Sequence, residues 1–180
     1  MPKGSPLESK KDMYYTILNF PKGKIFLAKT DKGLSFANFM KSQKRFEEIA
    51  GYFKKRGIPL ERKPRKFRVE ENLFSQYFNG GKIDFRVLPL DFVYGTPFQR
   101  KVWLETRKTP YGKTRSYKSI AQKLKNKGYR SVGQALARNP LLIIIPCHRI
   151  ISLDGGLGGF SIGLPLKRHL LRLEKAKIRA

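Results

Sequence analysis

The sequence predicts two units in one chain of 180 residues: an α/β unit with a small antiparallel sheet, then a mostly helical unit built on a helix-turn-helix. Three observations carry this. Two apolar, β-rich segments, residues 14–20 and 24–30, flank Pro21-Lys22-Gly23, the pattern of a hairpin. Later, residues 117–124 and 130–138 have helical spacing and are joined by the tight polar turn Asn126-Lys127-Gly128. Charge is also partitioned: residues 1–95 carry 20 basic and 10 acidic side chains, residues 96–180 carry 19 and 3.

In the first unit, residues 33–36 add a third strand candidate. Residues 39–55 place Phe46, Ile49, Ala50 and Phe53 at helical spacing and end at Gly57. Residues 72–79 read as a second short helix stopped by Gly80-Gly81, and residues 85–90 as a further strand. Nothing here forms a catalytic constellation; Phe46, Phe53, Phe74, Tyr77 and Phe78 read as core. Tyr94-Gly95 reads as a hinge, setting a boundary between domains 1–93 and 94–180.

The second unit opens with a helix start, Thr96 as N-cap and Pro97 in the first turn, with Phe98, Val102 and Thr106 on one face. Thr109-Pro110 ends that helix. Ser116 is an N-cap for residues 117–124, with Ile120, Ala121 and Leu124 inward; Asn139-Pro140 stops the helix 130–138. Gly133 costs that last helix about 1 kcal/mol relative to Ala. A thin helix suits close approach either to DNA or to another helix, and the pattern leaves both open. A final helix, residues 165–176, has Leu166, Leu170 and Leu173 on its buried face.

Composition narrows the function. Apolar residues at 40% and aromatics at 12% support a packed core. The longest apolar run, residues 141–146, is far short of the ~20 residues that span a bilayer, and the first dozen residues read as a loose basic tail without a secretory h-region. One cysteine excludes an internal disulfide, and with two histidines makes a zinc-finger-type site implausible, so neither metal nor cofactor is expected. A net charge of +26 favours a polyanionic partner, nucleic acid ahead of an anionic membrane.

The chemistry gathers after residues 141–145, Leu-Leu-Ile-Ile-Ile, which read as a strand buried on both faces. The chain then runs into Pro146-Cys147-His148-Arg149, where the adjoining His and positive charge favour the reactive thiolate of Cys147. On an extended chain His148 points away from Cys147, so it reaches the sulfur only if the backbone turns or through a water. The loop 154–161 is glycine-rich but lacks the Lys-Ser/Thr of a phosphate-binding loop. Glu174, the one acid on a basic helix, is either a surface ion pair or the anion that orients His148; spacing leaves both open.

Thr96-Pro-Phe-Gln-Arg100, Tyr111-Gly-Lys-Thr-Arg-Ser-Tyr117, Arg130-Ser-Val-Gly-Gln-Ala135 and Asn139-Pro with Ile145-Pro-Cys-His-Arg-Ile150 together resemble the O6-alkylguanine-DNA alkyltransferases, the methylated-DNA–protein-cysteine methyltransferases. The likeness covers residues 94–176 in order, and the Pro-Cys-His-Arg block is its most specific part. The resemblance implies an RNase H-like first domain and a winged helix-turn-helix second domain that binds duplex DNA in the minor groove. It implies DNA repair by direct reversal: irreversible, single-turnover transfer of the alkyl group from O6 of a flipped guanine to Cys147. By motif position, His148, acting through a water and oriented by Glu174, takes the thiol proton; Asn139 holds the turn; Tyr117 donates to the departing guanine.

The same resemblance assigns Arg130 as the finger that fills the stack. It puts Gln99, Ser116, Tyr117, Lys118, Gly133 and Ala135 at the DNA. Leu136, Leu157, Phe160, Ser161 and Ile162 would line the substrate pocket, Ser161 touching O6, with the carbonyls of Cys147 and Ile150 reading the exocyclic amine. Phe160 stands where some members have Tyr, which removes one hydroxyl; Ile162 stands where some have a smaller residue, which disfavours bulky alkyl groups. The implied partner is double-stranded DNA containing O6-alkylguanine, bound by a cytoplasmic monomer with no membrane or obligate protein partner. A non-catalytic DNA-binding, lesion-flagging module of the same fold is the alternative, and the presence of Cys147 argues against it. A Cys-dependent hydrolase lacks a second suitable histidine and an oxyanion signature.

Overall fold

The computed structural model describes residues 12–20, 23–40, 42–126 and 128–177. Apolar β-formers generate three long strands: β1 (Met13–Phe20), β2 (Gly23–Thr30) and β3 (Gly33–Met40). β1 and β2 pair antiparallel with Tyr14 opposite Lys29 and Phe20 opposite Gly23, the register of a hairpin; its turn, Pro21-Lys22, lies outside the described residues. β3 pairs antiparallel with β2. It runs four residues beyond the expected 33–36, so Phe39 belongs to a strand and not to the following helix. All eight residues of β3 are buried, and Phe39 packs edge-on against Phe20. Helix α1 (Gln43–Lys54) starts only after Ser42, whose hydroxyl accepts from the Arg45 N–H.

A fourth strand, β4 (Leu60–Arg62), pairs parallel with β1 at the sheet edge, giving the order β3-β2-β1-β4 and a mixed sheet where an antiparallel one was expected. Three residues without alternation leave no readable strand signal. A 3-10 turn, Pro64–Phe67, feeds helix α2 (Arg68–Phe78), which starts four residues before the expected position, with Glu70 and Glu71 in its first turn. Residues 85–90 do not form the predicted strand. Phe85–Val87 is a 3-10 turn capped by Asp84, and Leu90 makes only a single bridge, to Leu34, because Pro89 next to it has no N–H to extend a ladder.

The chain turns at Gly95, where φ is +101° and a Cβ would sit 2.5 Å from the Trp103 ring. Helix α3 (Pro97–Arg107) then opens on a capping box formed by Thr96 and Gln99. Trp103 is fully buried and donates its indole N–H to the Ala135 carbonyl at 2.8 Å, tying α3 to α5. The strand β5 (Arg115–Ser116), helix α4 (Tyr117–Lys123), helix α5 (Tyr129–Ala137) and strand β6 (Ile150–Ile151) follow, with β5 and β6 parallel. Ser116 caps α4 as expected, accepting from the Ser119 N–H. Lys127 of the predicted turn lies outside the described residues.

The predicted strand 141–145 is a tight turn. Ile145 N–H donates to Leu141 O at 2.8 Å, and Ile143 has φ +73°, rare for a β-branched residue. All five residues are buried, which explains their apolar character without requiring an extended chain. Backbone bonds from Ala37 N–H to Pro140 O (2.8 Å) and from Leu142 N–H to Ala37 O (2.9 Å) join this turn to the edge of β3, so the two units share one core. The last helix, α6 (Leu164–Leu173), stops short of the expected Ala176 with Glu174 as its C-cap; its buried residues are Lys167, Leu170 and Leu171, while Leu166 and Leu173 are only partly covered. No helix among the described residues is long and apolar enough to cross a membrane.

Candidate active site

Cys147, His148 and Arg149 form a 3-10 turn directly after the buried 141–145 turn. The backbone therefore does turn at Cys147, as contact between the thiol and His148 would require. Asn139 holds the segment from behind. Its Oδ1 accepts from Leu141 N–H (3.0 Å), and its Nδ2 donates to Ile145 O (2.9 Å) and to the Cys147 sulfur (3.2 Å). Cys147 is 5% exposed, yet it forms part of the wall of a cavity of about 450 Å³. Burial pushes the Cys147 thiol up, outweighing the Asn139 hydrogen bond and the nearby Lys167 charge. The expected resting thiolate is thus corrected to a resting thiol, because desolvation exceeds the local positive field.

Behind the thiol lies a buried polar cluster. Glu174 Oε1 accepts from His148 Nε2 (2.8 Å), the Tyr77 hydroxyl (2.6 Å) and Arg149 Nη2 (3.0 Å); its Oε2 accepts from Arg149 Nε (2.8 Å) and Gly112 N–H (3.3 Å). Spacing had left Glu174 open between a surface ion pair and an internal anion; it is internal, at 2% exposure. Burial alone raises its carboxyl pKa, but His148 and Arg149 outweigh that and hold it well below the usual carboxylate range. Burial likewise pulls His148 below its ordinary value despite the carboxylate. A neutral His148 beside an ionised Glu174 keeps its proton on Nε2 and leaves a lone pair on Nδ1, which has no hydrogen-bond partner in the structure.

Lys167, one of the basic residues around Glu174 on the last helix, is a residue that sequence reading did not single out. Its side chain is fully buried, and its ammonium donates to the carbonyls of Ile150 (2.6 Å), Leu157 (2.5 Å) and Gly159 (3.2 Å). Burial pulls its pKa down to about 8. The sole sequence signal is its period with Leu170 and Leu171. Lys167 ties β6 to the glycine loop that forms the cavity lip. That loop also carries Gly158, at φ +63°, where a Cβ would lie 2.9 Å from the Tyr117 ring. The Tyr117 hydroxyl donates to Gly159 O at 3.0 Å, and burial followed by the Cys147 charge raises its pKa.

The structure gathers Cys147, Tyr117, Arg130, Gly133, Leu136, Phe160 and Ser161 around the cavity, and adds Tyr129 and Ser152, which the sequence did not single out. Lys118 and Arg130 are exposed on α4 and α5. Other predicted contacts lie elsewhere. Gln99 is buried with its side chain closing the α3 capping box, and Ala135 is buried against α3, so neither exposes its side chain. The Ser116 hydroxyl is engaged as the α4 cap. Ile150 is fully buried and Leu157 presents its carbonyl to Lys167, as Ile150 also does, while Ile162 packs on the core; none of the three lines the cavity. Gly133 approaches Tyr117 no closer than ordinary van der Waals contact, so tight helix packing is not what requires a glycine there.

Comparison with known proteins agrees with this arrangement. Residues 13–92 match the family model of the 6-O-methylguanine DNA methyltransferase ribonuclease-like domain, and residues 97–176 match that of the same family's DNA binding domain. The methylated-DNA–protein-cysteine methyltransferase of Methanosarcina barkeri is 41% identical over 93% of this chain and its own full length. An inducible protein of that name from Bacillus subtilis is 36% identical over 93% of each chain. Among solved structures, the Mycobacterium tuberculosis O6-methylguanine methyltransferase superposes with TM-score 0.72 at 32% identity, covering 91% of this chain and 93% of that one. A second M. tuberculosis structure, OGT in complex with DNA, gives TM-score 0.75 at 33% identity, covering 90% and 92%.

Proposed function

The chain belongs to the 6-O-methylguanine DNA methyltransferase family, and from that premise we propose how its residues carry out methylated-DNA–protein-cysteine methyl transfer. The observation that carries the proposal is Cys147 on the wall of a base-sized cavity, with Asn139 on its sulfur and the buried His148–Glu174 pair behind it. Two domains, 1–93 and 94–180, divide the labour: the second presents α5 to the minor groove of duplex DNA, and the first closes over the back of the site. The protein acts as a monomer inside the cell.

The alkyl carbon on O6 of a stacked guanine is out of reach, so the alkylated base is flipped into the cavity, at a cost of a few kcal/mol that Arg130 offsets by entering the vacated stack. Tyr117, Leu136, Phe160 and Ser161 enclose the base, Ser161 beside O6. The thiol proton passes through a water to Nδ1 of His148, and Glu174 stabilises the imidazolium that forms. The sulfur then attacks the alkyl carbon. An S–C bond forms, the C–O6 bond breaks with its electron pair moving onto the guanine, and a hydrogen bond or proton from Tyr117 neutralises the charge that develops there. The product is a thioether. Cys147 is the chain's single cysteine, so no second thiol can resolve it, and each molecule acts once.

The test is a stoichiometry. With methylated duplex in excess, the methyl groups removed should plateau at one per protein molecule, and Cys147→Ala should remove none while retaining its DNA affinity. Continued removal beyond one equivalent, or transfer by the Ala variant, overturns the proposal. The lesion-flagging alternative predicts DNA binding without any methyl removed.

A further inference from the structure

We propose that the outer edge of the N-terminal sheet is a second DNA-binding surface, which grips the phosphate backbone of a duplex other than the one held by α5. This rests on the reading of the protein as a duplex-DNA binder. The observation is a strip of charge that the methyl-transfer site does not use. Residues 54–68 contain eight basic side chains and one acid, Glu61. All eight are exposed.

The fold brings them together. Lys54 and Lys55 end α1, which packs beside β4; Arg62 closes β4; Lys63, Arg65 and Lys66 continue through the 3-10 turn; and Arg68 opens α2. Of the cations of β4, the 3-10 turn and the start of α2, Lys63 has a carboxylate partner among the described residues in Glu61 at 3.0 Å, and Lys66 in Asp31 at 2.8 Å. Arg62, Arg65 and Arg68 have none. One or two charges suffice to guard an edge strand against pairing with another chain. Eight cations against two carboxylates, Glu61 and Asp31, instead build a self-repelling field that a polyanion relieves.

Its position decides which polyanion segment it meets. β3 is the sheet edge stitched to the C-terminal unit through Ala37, Pro140 and Leu142. β4 is the opposite edge, roughly 14 Å away across the sheet at normal strand spacing. The strip is therefore built on the sheet edge opposite the β3 junction, with Arg68 at the end of α2 away from Tyr77, and a short duplex seated on α5 leaves it free for another. The ligand chemistry is a regular array of phosphates, read without base contacts, so binding there is indifferent to sequence and to the lesion and falls steeply with salt.

A bridging assay tests this with unmethylated DNA, so that alkyl transfer plays no part in the readout. A short duplex is fixed to beads, full-length protein is added, and retention of a second, fluorescent duplex is measured. Wild-type protein should retain it. The R62E/R65E/R68E variant should retain at least about fivefold less, with the slope of log affinity for the second duplex against log salt reduced by about 2–3. That variant should still repair a short methylated duplex at the wild-type rate and keep its melting temperature. R62Q/R65Q/R68Q, which removes charge without reversing it, should be intermediate.

No retention by wild-type protein, or equal retention by all three proteins, overturns the proposal. Capture by the strip of anionic phospholipid vesicles but not of DNA also overturns it, in favour of a membrane surface. If bridging holds while methyl transfer to Cys147 fails, the second surface stands and the proposed reaction falls.

Discussion

Tyr77, on helix α2 of the N-terminal unit, donates its hydroxyl hydrogen to Oε1 of Glu174 at 2.6 Å, across the junction between the two units. The carboxylate that orients His148 is thus held from both sides, by Arg149 and Gly112 of its own unit and by a phenol from the other. Both groups are buried, so the contact is made away from water, where a hydrogen bond to a charged group contributes most.

Tyr77→Phe keeps the ring packing against Phe78 and Phe85 and removes only this donor. We expect a loss of about 1.5–3 kcal/mol in denaturant unfolding. The single-turnover rate on methylated duplex should also fall severalfold, because Glu174 is less firmly held. Unchanged stability and rate would show that the cluster does not depend on the N-terminal unit.

The cluster is acid-sensitive with a definite sign. His148 and Glu174 both titrate lower in the folded protein than at their ordinary values of 6.5 and 4.5. The unfolded chain takes up those protons first. The stability they confer is therefore complete above the ordinary values and is lost as pH falls below them, His148 first and Glu174 later. Between about pH 8 and pH 5.5, wild-type protein should lose stability in urea unfolding. His148→Gln should lose less over the same interval; an equal or greater loss in the variant would contradict the assignment of a buried, neutral imidazole.

Gly133 separates stability from function. A Cβ there would meet Tyr117 at 3.9 Å, an ordinary contact, so the helix has room for alanine. Gly133→Ala should raise stability by up to about 1 kcal/mol. It should also slow repair, because the added methyl enters the cavity wall beside Tyr117 and Cys147. A variant both more stable and equally fast would mean that the base does not occupy this cavity.

Arg130 is exposed at the start of α5, on the cavity rim. Arg130→Ala should slow methyl removal from duplex DNA much more than alkyl transfer from free O6-benzylguanine, which needs no flipping. Equal losses on both substrates would exclude the role of a stack-filling finger.

The pattern of helix caps was legible in the sequence: Thr96 with Pro97, and Ser116, occupy the cap positions their chemistry suggests. Burial was legible too, but not the backbone path of buried segments. Residues 141–145 are as apolar as an interior strand, yet they turn sharply, because Asn139 supplies side-chain bonds that replace a ladder. Lys167 was not singled out since a lysine on a helix is ordinarily solvated; here three carbonyls, one from β6 and two from the glycine loop, take up its charge, an arrangement no local pattern announces. The role of Tyr77 was hidden for the same reason. Its partner lies 97 residues away in the chain, and an aromatic at helical spacing reads as core.

The central claim, that the sulfur of Cys147 is the alkyl acceptor, is tested most directly by mass spectrometry of the intact protein after incubation with duplex carrying O6-methylguanine, followed by peptide mapping. A single added methylene's mass, confined to the peptide containing Cys147 and absent from the Cys147→Ala variant, is the predicted result. An unchanged mass alongside repaired DNA, or a methyl group mapped to any other residue, would contradict it.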